Sequence, residues 1–178
     1  MHLRAFLQSI FLLPVLAPLG ALGQAQSMAP RMKKVAIDGW LLELPEDWRV
    51  DQSSKPNQPI FRPLDRKSAC FVRVQALPEN IGISPVQLAL EIRQSFQQSA
   101  EQTKFKWRVM RETVASTAIG VVQNLDLFDA ENKVRYVLKT VITGQSMAML
   151  ILHDYSCESH SASDAFFAPI LESLSPSS

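Results

Sequence analysis

Residues 106–155 decide the fold, and they read KWRVMRETVASTAIGVVQNLDLFDAENKVRYVLKTVITGQSMAMLILHDY. Four runs rich in β-branched and aromatic residues predict strands over residues 106–116, 120–129, 133–143 and 146–155. The last three runs are separated by two short breaks, Ala130-Glu131-Asn132 and Gly144-Gln145, which suit hairpins. Because strands joined by hairpins run antiparallel, this stretch predicts an antiparallel meander.

Further strands are predicted before the meander. Residues 33–44 alternate apolar and polar side chains on both sides of an Asp38-Gly39 pair, which is a strong hairpin signal. Residues 69–77 (ACFVRVQAL) predict a central strand with Cys70 on one face. Residues 51–68, which contain three prolines among polar and basic residues, predict a long loop, and long loops often carry function.

Two helices are predicted. The segment Ser84-Pro85-Val86-Gln87 places a cap residue, a proline and a glutamine as in a capping box, and apolar residues then recur at four-residue spacing up to residue 100. A terminal helix is predicted over residues 161–174, capped by Ser161 or Ser163, with Pro169 expected to kink or shorten it. An antiparallel sheet with helices on its faces is an α+β fold.

The first 25 residues have the three parts of a secretory signal peptide. Arg4 precedes an apolar run over residues 5–19, and small residues follow before a polar start. Pro14, Pro18 and the shortness of the run argue against a membrane helix, which needs about 20 consecutive apolar residues. We expect a periplasmic or secreted protein without a stable membrane anchor, because no cysteine near the cleavage site could carry a lipid.

The expected mature protein has a flexible lead over residues 26–32 and one domain over residues 33–178. Loss of Arg4 leaves 17 basic and 17 acidic residues, so no basic excess points to nucleic acid. Two cysteines remain, Cys70 and Cys157, and an oxidising compartment makes a disulfide between them a candidate. Spacing leaves the alternative of two separate thiols open, with Cys70 buried in a strand.

The segment IDGWLLELPEDW, residues 37–48, resembles the opening of the PsbP-like superfamily. Members resemble this chain in a strand that runs into a Pro-x-x-Trp turn, here Pro45 to Trp48, and in a final helix with an aromatic and aliphatic stripe, here residues 166–174. The resemblance implies an α/β/α sandwich and a non-enzymatic adaptor, assembly factor or chaperone-like binder. The chain departs from the lipoprotein members of that group because it lacks their lipid-carrying cysteine.

The predicted loop over residues 51–68 holds the candidate partner-binding residues. Basic side chains outnumber acidic ones there, and Phe61 beside Arg62 resembles the aromatic and arginine pairs enriched at interface hot spots. We expect Phe61, Arg62, Arg66 and Lys67 to contact a protein partner. The alternative is a solvated connector with Phe61 in the core.

Three other constellations could carry chemistry. His153, Cys157 and His160 have the ligand types of a zinc or copper site, although exposed histidines in a polar loop are the more common outcome. Ser146 is one residue from a nucleophile-elbow pattern but sits where a hairpin turn is predicted. Tyr136, Trp107 and Phe128 could line a ligand groove, and alternate aromatic positions on strands are more often core.

The sequence therefore predicts an exported, non-enzymatic binding protein without a cofactor. Its expected partner is a protein of the bacterial envelope, with the chain acting as an assembly factor, chaperone-like adaptor or toxin-immunity protein. One alternative is a small-molecule or lipid carrier with an apolar cavity between sheet and helix. The other alternative is a metal-dependent or hydrolytic enzyme.

Overall fold

The computed structural model describes residues 30–55, 58–65, 67–79 and 81–177. The predicted signal peptide and residues 26–29 of the predicted lead lie outside the described residues. The described elements, in chain order, are β1 Met32–Ile37, β2 Trp40–Pro45, β3 Arg49–Val50, β4 Ile60–Arg62, β5 Ser68–Ala76, α1 Pro85–Glu101, β6 Arg108–Thr117, β7 Gly120–Asp129, β8 Val134–Ile142, β9 Ser146–Asp154, α2 His160–Ser173 and β10 Ser175–Pro176.

The meander from β6 to β9 forms one side of a seven-stranded antiparallel sheet in the described part of the chain, with β6 as its edge strand. The strand order is β3-β4-β5-β9-β8-β7-β6, and β9 pairs with both β8 and β5 over nearly its full length. A smaller sheet of order β1-β2-β10 contains the predicted hairpin. Asp38 and Gly39 both have positive φ, 45° and 82°, as the tight turn between β1 and β2 requires.

Two hydrophobic cores lie on the two faces of the large sheet. On one face α1 buries Leu88, Ile92 and Phe96 against the meander. On the other face α2 and the small sheet bury Trp48 and Phe167, among other side chains, against the alternate positions of the same strands. The α+β fold, an antiparallel sheet with helices on its faces, is confirmed.

The predicted start of α1 is confirmed in detail. The Ser84 hydroxyl accepts a hydrogen bond from the Gln87 amide at 3.2 Å, and the Gln87 side chain accepts one from the Ser84 amide at 3.0 Å. Pro85 occupies the first helical turn, where it needs no hydrogen-bond partner for its nitrogen. The capping box therefore fixes the point at which α1 leaves the loop and crosses the sheet.

The terminal helix differs from its prediction in its N-cap residue and in its length beyond Pro169. Its N-cap is Ser159, whose hydroxyl accepts a hydrogen bond from the Ala162 amide at 3.2 Å, rather than Ser161 or Ser163. Pro169 does not shorten the helix, which continues to Ser173. A proline removes one backbone hydrogen bond, and burial of neighbouring apolar residues on this helix outweighs that loss.

The predicted loop over residues 51–68 contains a strand. Within it, β4 pairs with β5 through Ile60 and Phe61, and β3 pairs with β4 through Val50 and Phe61. The Ser54 hydroxyl accepts a hydrogen bond from the Ile60 amide at 2.9 Å and closes the turn. Pro59 and Pro63 flank this strand, and prolines are uncommon within paired strands, so the sequence pattern predicted a loop.

The candidate disulfide is absent from the structure. Cys70 and Cys157 are two separate, buried thiols, which is the alternative that their spacing left open. Cys70 lies opposite Leu152, the third of the nine residue pairs that join β5 and β9. The Cys157 amide instead donates to the Lys133 carbonyl, beyond the start of β8. Leu152 pairs with Val137 of β8, so Cys70 and Cys157 are offset along the strands by the four residues from Lys133 to Val137. At the usual rise per strand residue this offset is about 13 Å, whereas a disulfide needs Cα atoms within about 7 Å.

Candidate functional site

Phe61 and Arg62, predicted to contact a partner, are buried. Phe61 is 5% exposed and belongs to the core beneath α2, while Arg62 is 7% exposed. The prediction of an accessible hot spot is therefore wrong, because neither side chain is exposed. Phe61 lies in the core, which is the alternative that the sequence left open. Strand β4 explains the difference, since its pairing on both edges draws both residues into the sheet.

Arg62 serves an internal purpose. Its Nε lies 3.0 Å from Asp51 Oδ2, and its guanidinium stands 5.9 Å from the Phe71 ring centroid. Lys67, a third predicted contact residue, is half-buried, and its amide donates to the Asp65 carboxylate at 3.0 Å. Arg66, the fourth, lies outside the described residues.

An aromatic stack surrounds His153 on the α1 face of the sheet. The His153 ring centroid lies 3.7 Å from that of Tyr136 and 4.6 Å from that of Phe71. Its Nδ1 is hydrogen-bonded to the Tyr155 hydroxyl at 2.7 Å, and its Nε2 has no hydrogen-bond partner among the described residues. Burial, with a smaller contribution from the positive charge of Arg62, holds the pKa of His153 well below its usual range.

The three candidate metal ligands, His153, Cys157 and His160, are not brought together. His153 is buried on the α1 face, whereas His160 lies at the start of α2 on the opposite face, where its Nε2 contacts Asp126. The Cys157 thiol donates to the Ser159 carbonyl at 3.3 Å. Among the described residues, no group of three or more potential ligands could hold a metal ion.

The remaining chemical candidates lie in structural positions. Ser146 begins β9, and its hydroxyl lies 3.2 Å from that of Thr143 within a hairpin turn, as predicted. Trp107 packs edge to face on Tyr136 at 4.7 Å, but Phe128 packs against His160 on the other face. These aromatic residues therefore do not line a common groove.

Sequence reasoning missed a buried charge network on the α2 face. Arg135, 1% exposed, contacts Asp126 and Asp164, with its Nη2 2.7 Å and 2.8 Å from their carboxylates. His160 Nε2 donates to Asp126 at 2.9 Å, and Arg111 of β6 lies 3.6 Å from Asp164. The network ties the start of α2 to β7 and β8. A usable signal was present, since Arg135 shares its strand face with the buried Val137 and Val141.

The outer edge of β6 is the most accessible structural feature of the large sheet. Nine of its ten residues are exposed, and within the described residues β6 pairs with β7 alone. Val109 and Met110 are 53% and 47% exposed. A bulge interrupts the pairing at Met110, and a regular ladder runs from Arg111 to Thr117. We name residues 108–117 the β6 edge.

An edge strand of this length is a potential docking site for another strand. It presents a row of backbone donors and acceptors that no neighbouring strand satisfies. Proteins commonly blunt such edges, and the bulge at Met110 does so at one end. The seven residues from Arg111 onward remain regular, which is enough for β-augmentation by an extended segment.

A surface groove of about 400 Å³ lies at the N-terminal end of α1. It is lined by the β6 to β7 turn, including Ile119, and by Pro85, Val121 and Ile142. This groove is distinct from the apolar cavity expected for a carrier between sheet and helix. That space is occupied by packed side chains such as Leu88, Leu125 and Met149.

The structure has a PsbP-like fold. It is similar to the solution structure of cyanobacterial PsbP (CyanoP) from Synechocystis sp. PCC 6803, with a TM-score of 0.62 and 15% sequence identity, over 90% of this chain and 99% of that chain. No protein-family model and no curated protein matches the sequence. The predicted PsbP-like resemblance is thus confirmed for the fold.

In the part of the chain that the structure describes, no helix is long and apolar enough to cross a bilayer.

Proposed function

We propose that the chain is an exported, non-enzymatic binding protein that recognises a protein partner in the bacterial envelope through the β6 edge. The observation that carries this proposal is the ten-residue edge strand, exposed on both faces and unpaired along its outer side within the described residues. A partner strand would add main-chain hydrogen bonds there, and the side chains on both faces would supply specificity.

The arrangement of the polar residues supports binding rather than catalysis. His153 is buried in an aromatic stack, and Arg135 is committed to two carboxylates. Ser146 lies in a hairpin turn without the following helix that a nucleophile elbow requires. These residues stabilise the fold, whereas the exposed features of the sheet are those of an interface.

The loop over residues 63–67 is the second candidate contact. Leu64 is 85% exposed there, beside Lys67 and the undescribed Arg66. A partner could reach this loop without any change in the buried Phe61 and Arg62. The loop lies at the far side of the large sheet from β6, because β4 and β5 flank it there.

The envelope location rests on the signal-peptide pattern of residues 1–25. The proposal predicts that the mature chain is found outside the cytoplasm and starts after residue 23 or 25. Mass spectrometry of the N-terminal peptide from fractionated cells tests this. An intact leader on cytosolic protein would remove the envelope part of the proposal.

Site-specific photo-crosslinking tests the contact surface. A photoreactive amino acid replaces Met110 in the β6 edge, Leu64 in the loop, or Val86 on α1, in the full chain within cells that produce it. Val86, 40% exposed, is the matched control. We expect a discrete protein adduct from position 110 and none from position 86.

The other results are equally decisive. An adduct from position 64 alone would move the interface to the loop and reject the β6 edge. No adduct from position 110 or position 64, with a folded protein present at the normal level, would reject the protein-binding function.

A further inference from the structure

We propose that the β6 edge accepts an extended segment in which acidic and apolar residues alternate. This inference rests on the proposed function and specifies the chemistry of the partner. It follows from the charges at the β6 edge and from the faces to which its side chains project.

The chain approaching and entering β6 is strongly basic. Residues 104–111 read KFKWRVMR, with four basic side chains and no acidic one, although residues 26–178 carry equal numbers of each. Lys104, Lys106 and Arg108 are exposed and alternate with Phe105 and Trp107, which turn inward. The positive charge is therefore concentrated at one end of the exposed edge.

Only part of this charge is neutralised within the described residues. Lys106 contacts Glu131 at 2.8 Å, in a pair whose side chains are both more than 60% exposed. Arg111 lies 3.6 Å from Asp164 and keeps 56% of its side chain exposed. Lys104 and Arg108 have no acidic partner among the described residues. Two positive charges thus remain unpaired beside an open strand edge.

The register of β6 assigns its side chains to the two faces of the sheet. Arg108 pairs with Phe128 and Arg111 with Asp126, so both arginines project to the α2 face. Val109 pairs with Leu127 and projects to the α1 face, where it is 53% exposed.

An added strand would place its own side chains alternately on the same two faces. Acidic residues on the α2 face would meet Arg108 and Arg111. Apolar residues on the α1 face would extend the surface beside Val109. Opposite charges on directly paired strands are favourable, and like charges are unfavourable. Alternation of acidic and apolar residues therefore fits this edge.

Direct binding to defined peptides tests the inference. The probes are capped peptides of sequence (Glu-Val)4, (Gln-Val)4 and (Lys-Val)4, titrated into the full mature chain at low and high salt. We expect (Glu-Val)4 to bind about tenfold more tightly than (Gln-Val)4, with the preference reduced by salt, and (Lys-Val)4 not to bind. Hydrogen exchange should show added protection at residues 111–117.

A pair of charge-reversed variants locates the contact. Lys104→Glu with Arg108→Glu should lower the affinity for (Glu-Val)4 about tenfold and raise that for (Lys-Val)4. Arg49→Glu with Lys55→Glu is the matched control, because it changes the net charge equally at exposed positions in β3 and beside β4, at the opposite end of the large sheet from β6. The control should bind (Glu-Val)4 like the parent protein.

Each alternative outcome overturns the inference in a recognisable way. Equal binding of (Glu-Val)4 and (Gln-Val)4 would reject the acidic preference while leaving strand addition intact. Equal losses in the two variants would show that net charge, not the β6 edge, attracts the peptide. A parent protein that dimerises through β6 would identify a second copy as the occupant. Photo-crosslinking at position 110 tests the proposed function separately.

Discussion

Arg135 of β8 donates two hydrogen bonds to Asp126 of β7, from Nε to Oδ1 at 3.0 Å and from Nη2 to Oδ2 at 2.7 Å. The two side chains are 1% and 3% exposed, so the charges are compensated inside the protein rather than by water. Removing the buried carboxylate leaves Arg135 with the partly exposed Asp164 alone, and a buried charge that loses a partner costs far more than the loss of a surface pair. The pair therefore makes the junction of β7, β8 and α2 sensitive to single substitutions.

We predict that Asp126→Ala lowers the free energy of unfolding by about 3–5 kcal/mol. Glu131→Ala, which removes an exposed pair with Lys106, should lower it by at most about 1 kcal/mol. Urea denaturation followed by circular dichroism measures both. The double replacement Asp126→Leu with Arg135→Met should recover most of the loss, because it removes both charges. A loss below about 1 kcal/mol for Asp126→Ala would mean that Asp164, the remaining carboxylate on Arg135, compensates its charge by itself.

The buried His153 predicts a pH dependence of stability. Burial keeps the pKa of His153 well below its usual range, so the ring is neutral in the folded protein. In the unfolded chain a histidine protonates near pH 6.5, so the unfolded state binds more protons as the pH falls below that value. The stabilisation is thus complete above about pH 6.5 and is progressively lost down to the lower folded-state pKa.

We predict that the free energy of unfolding falls between pH 6.5 and 5.5 by about 1 kcal/mol on account of His153. His153→Gln should remove this slope, whatever it does to stability at pH 7.5. His160→Gln is the control, since His160 lies on the other face with its side chain 26% exposed. Urea denaturation at three pH values measures the slopes. A slope that survives in His153→Gln would assign the effect elsewhere.

The two cysteines give a third prediction. Burial raises the pKa of the Cys70 thiol well above its usual value and also raises that of Cys157, and only the thiolate reacts readily. Both thiols should therefore resist a thiol reagent in the native protein and react fully after denaturation without reductant. Mass spectrometry counts the labelled sites. A purified chain that yields no thiol after denaturation would indicate the disulfide that the structure lacks.

Sequence patterns predicted the backbone of this fold well because its local signals agree with its packing. The capping box at Ser84, the Asp38-Gly39 turn and the alternation along β7 to β9 each specify one conformation, and each is present in the structure. The short strand β4 was missed because its three residues, which lie between Pro59 and Pro63, are too few to show an alternating pattern. The candidate disulfide between Cys70 and Cys157 is not observed, because the spacing of two cysteines in the sequence does not show how far apart they lie along the paired strands.

The functional residues were harder to predict because burial decides their role. Phe61 and Arg62 have the chemistry of a hot spot but lie within a paired strand. The β6 edge could not be recognised as an edge from its own residues, because its accessibility comes from its position at the end of the sheet. Edge position is a property of topology, which no local pattern in residues 106–116 contains.

Asp129 anchors the basic end of the β6 edge and provides the last prediction. Its carboxylate accepts hydrogen bonds from the amides of Lys106, Glu131 and Asn132 and from the Asn132 side chain. Burial alone would raise the pKa of Asp129, but the bonds from Asn132, Lys106 and Glu131 together lower it. The stabilisation is present above the unfolded-state value of about 3.9 and is lost as the pH falls through the folded-state pKa.

Asp129→Asn cannot accept all four bonds, so we expect it to lower the free energy of unfolding by about 2 kcal/mol at pH 7. The gap from the parent protein should narrow as the pH falls below the unfolded-state value and then through the lower folded-state pKa. Hydrogen exchange at the Lys106 amide should accelerate in the variant at pH 7, and peptide binding at the β6 edge should weaken with it. An unchanged exchange rate there would mean that the β6 edge holds its place without Asp129.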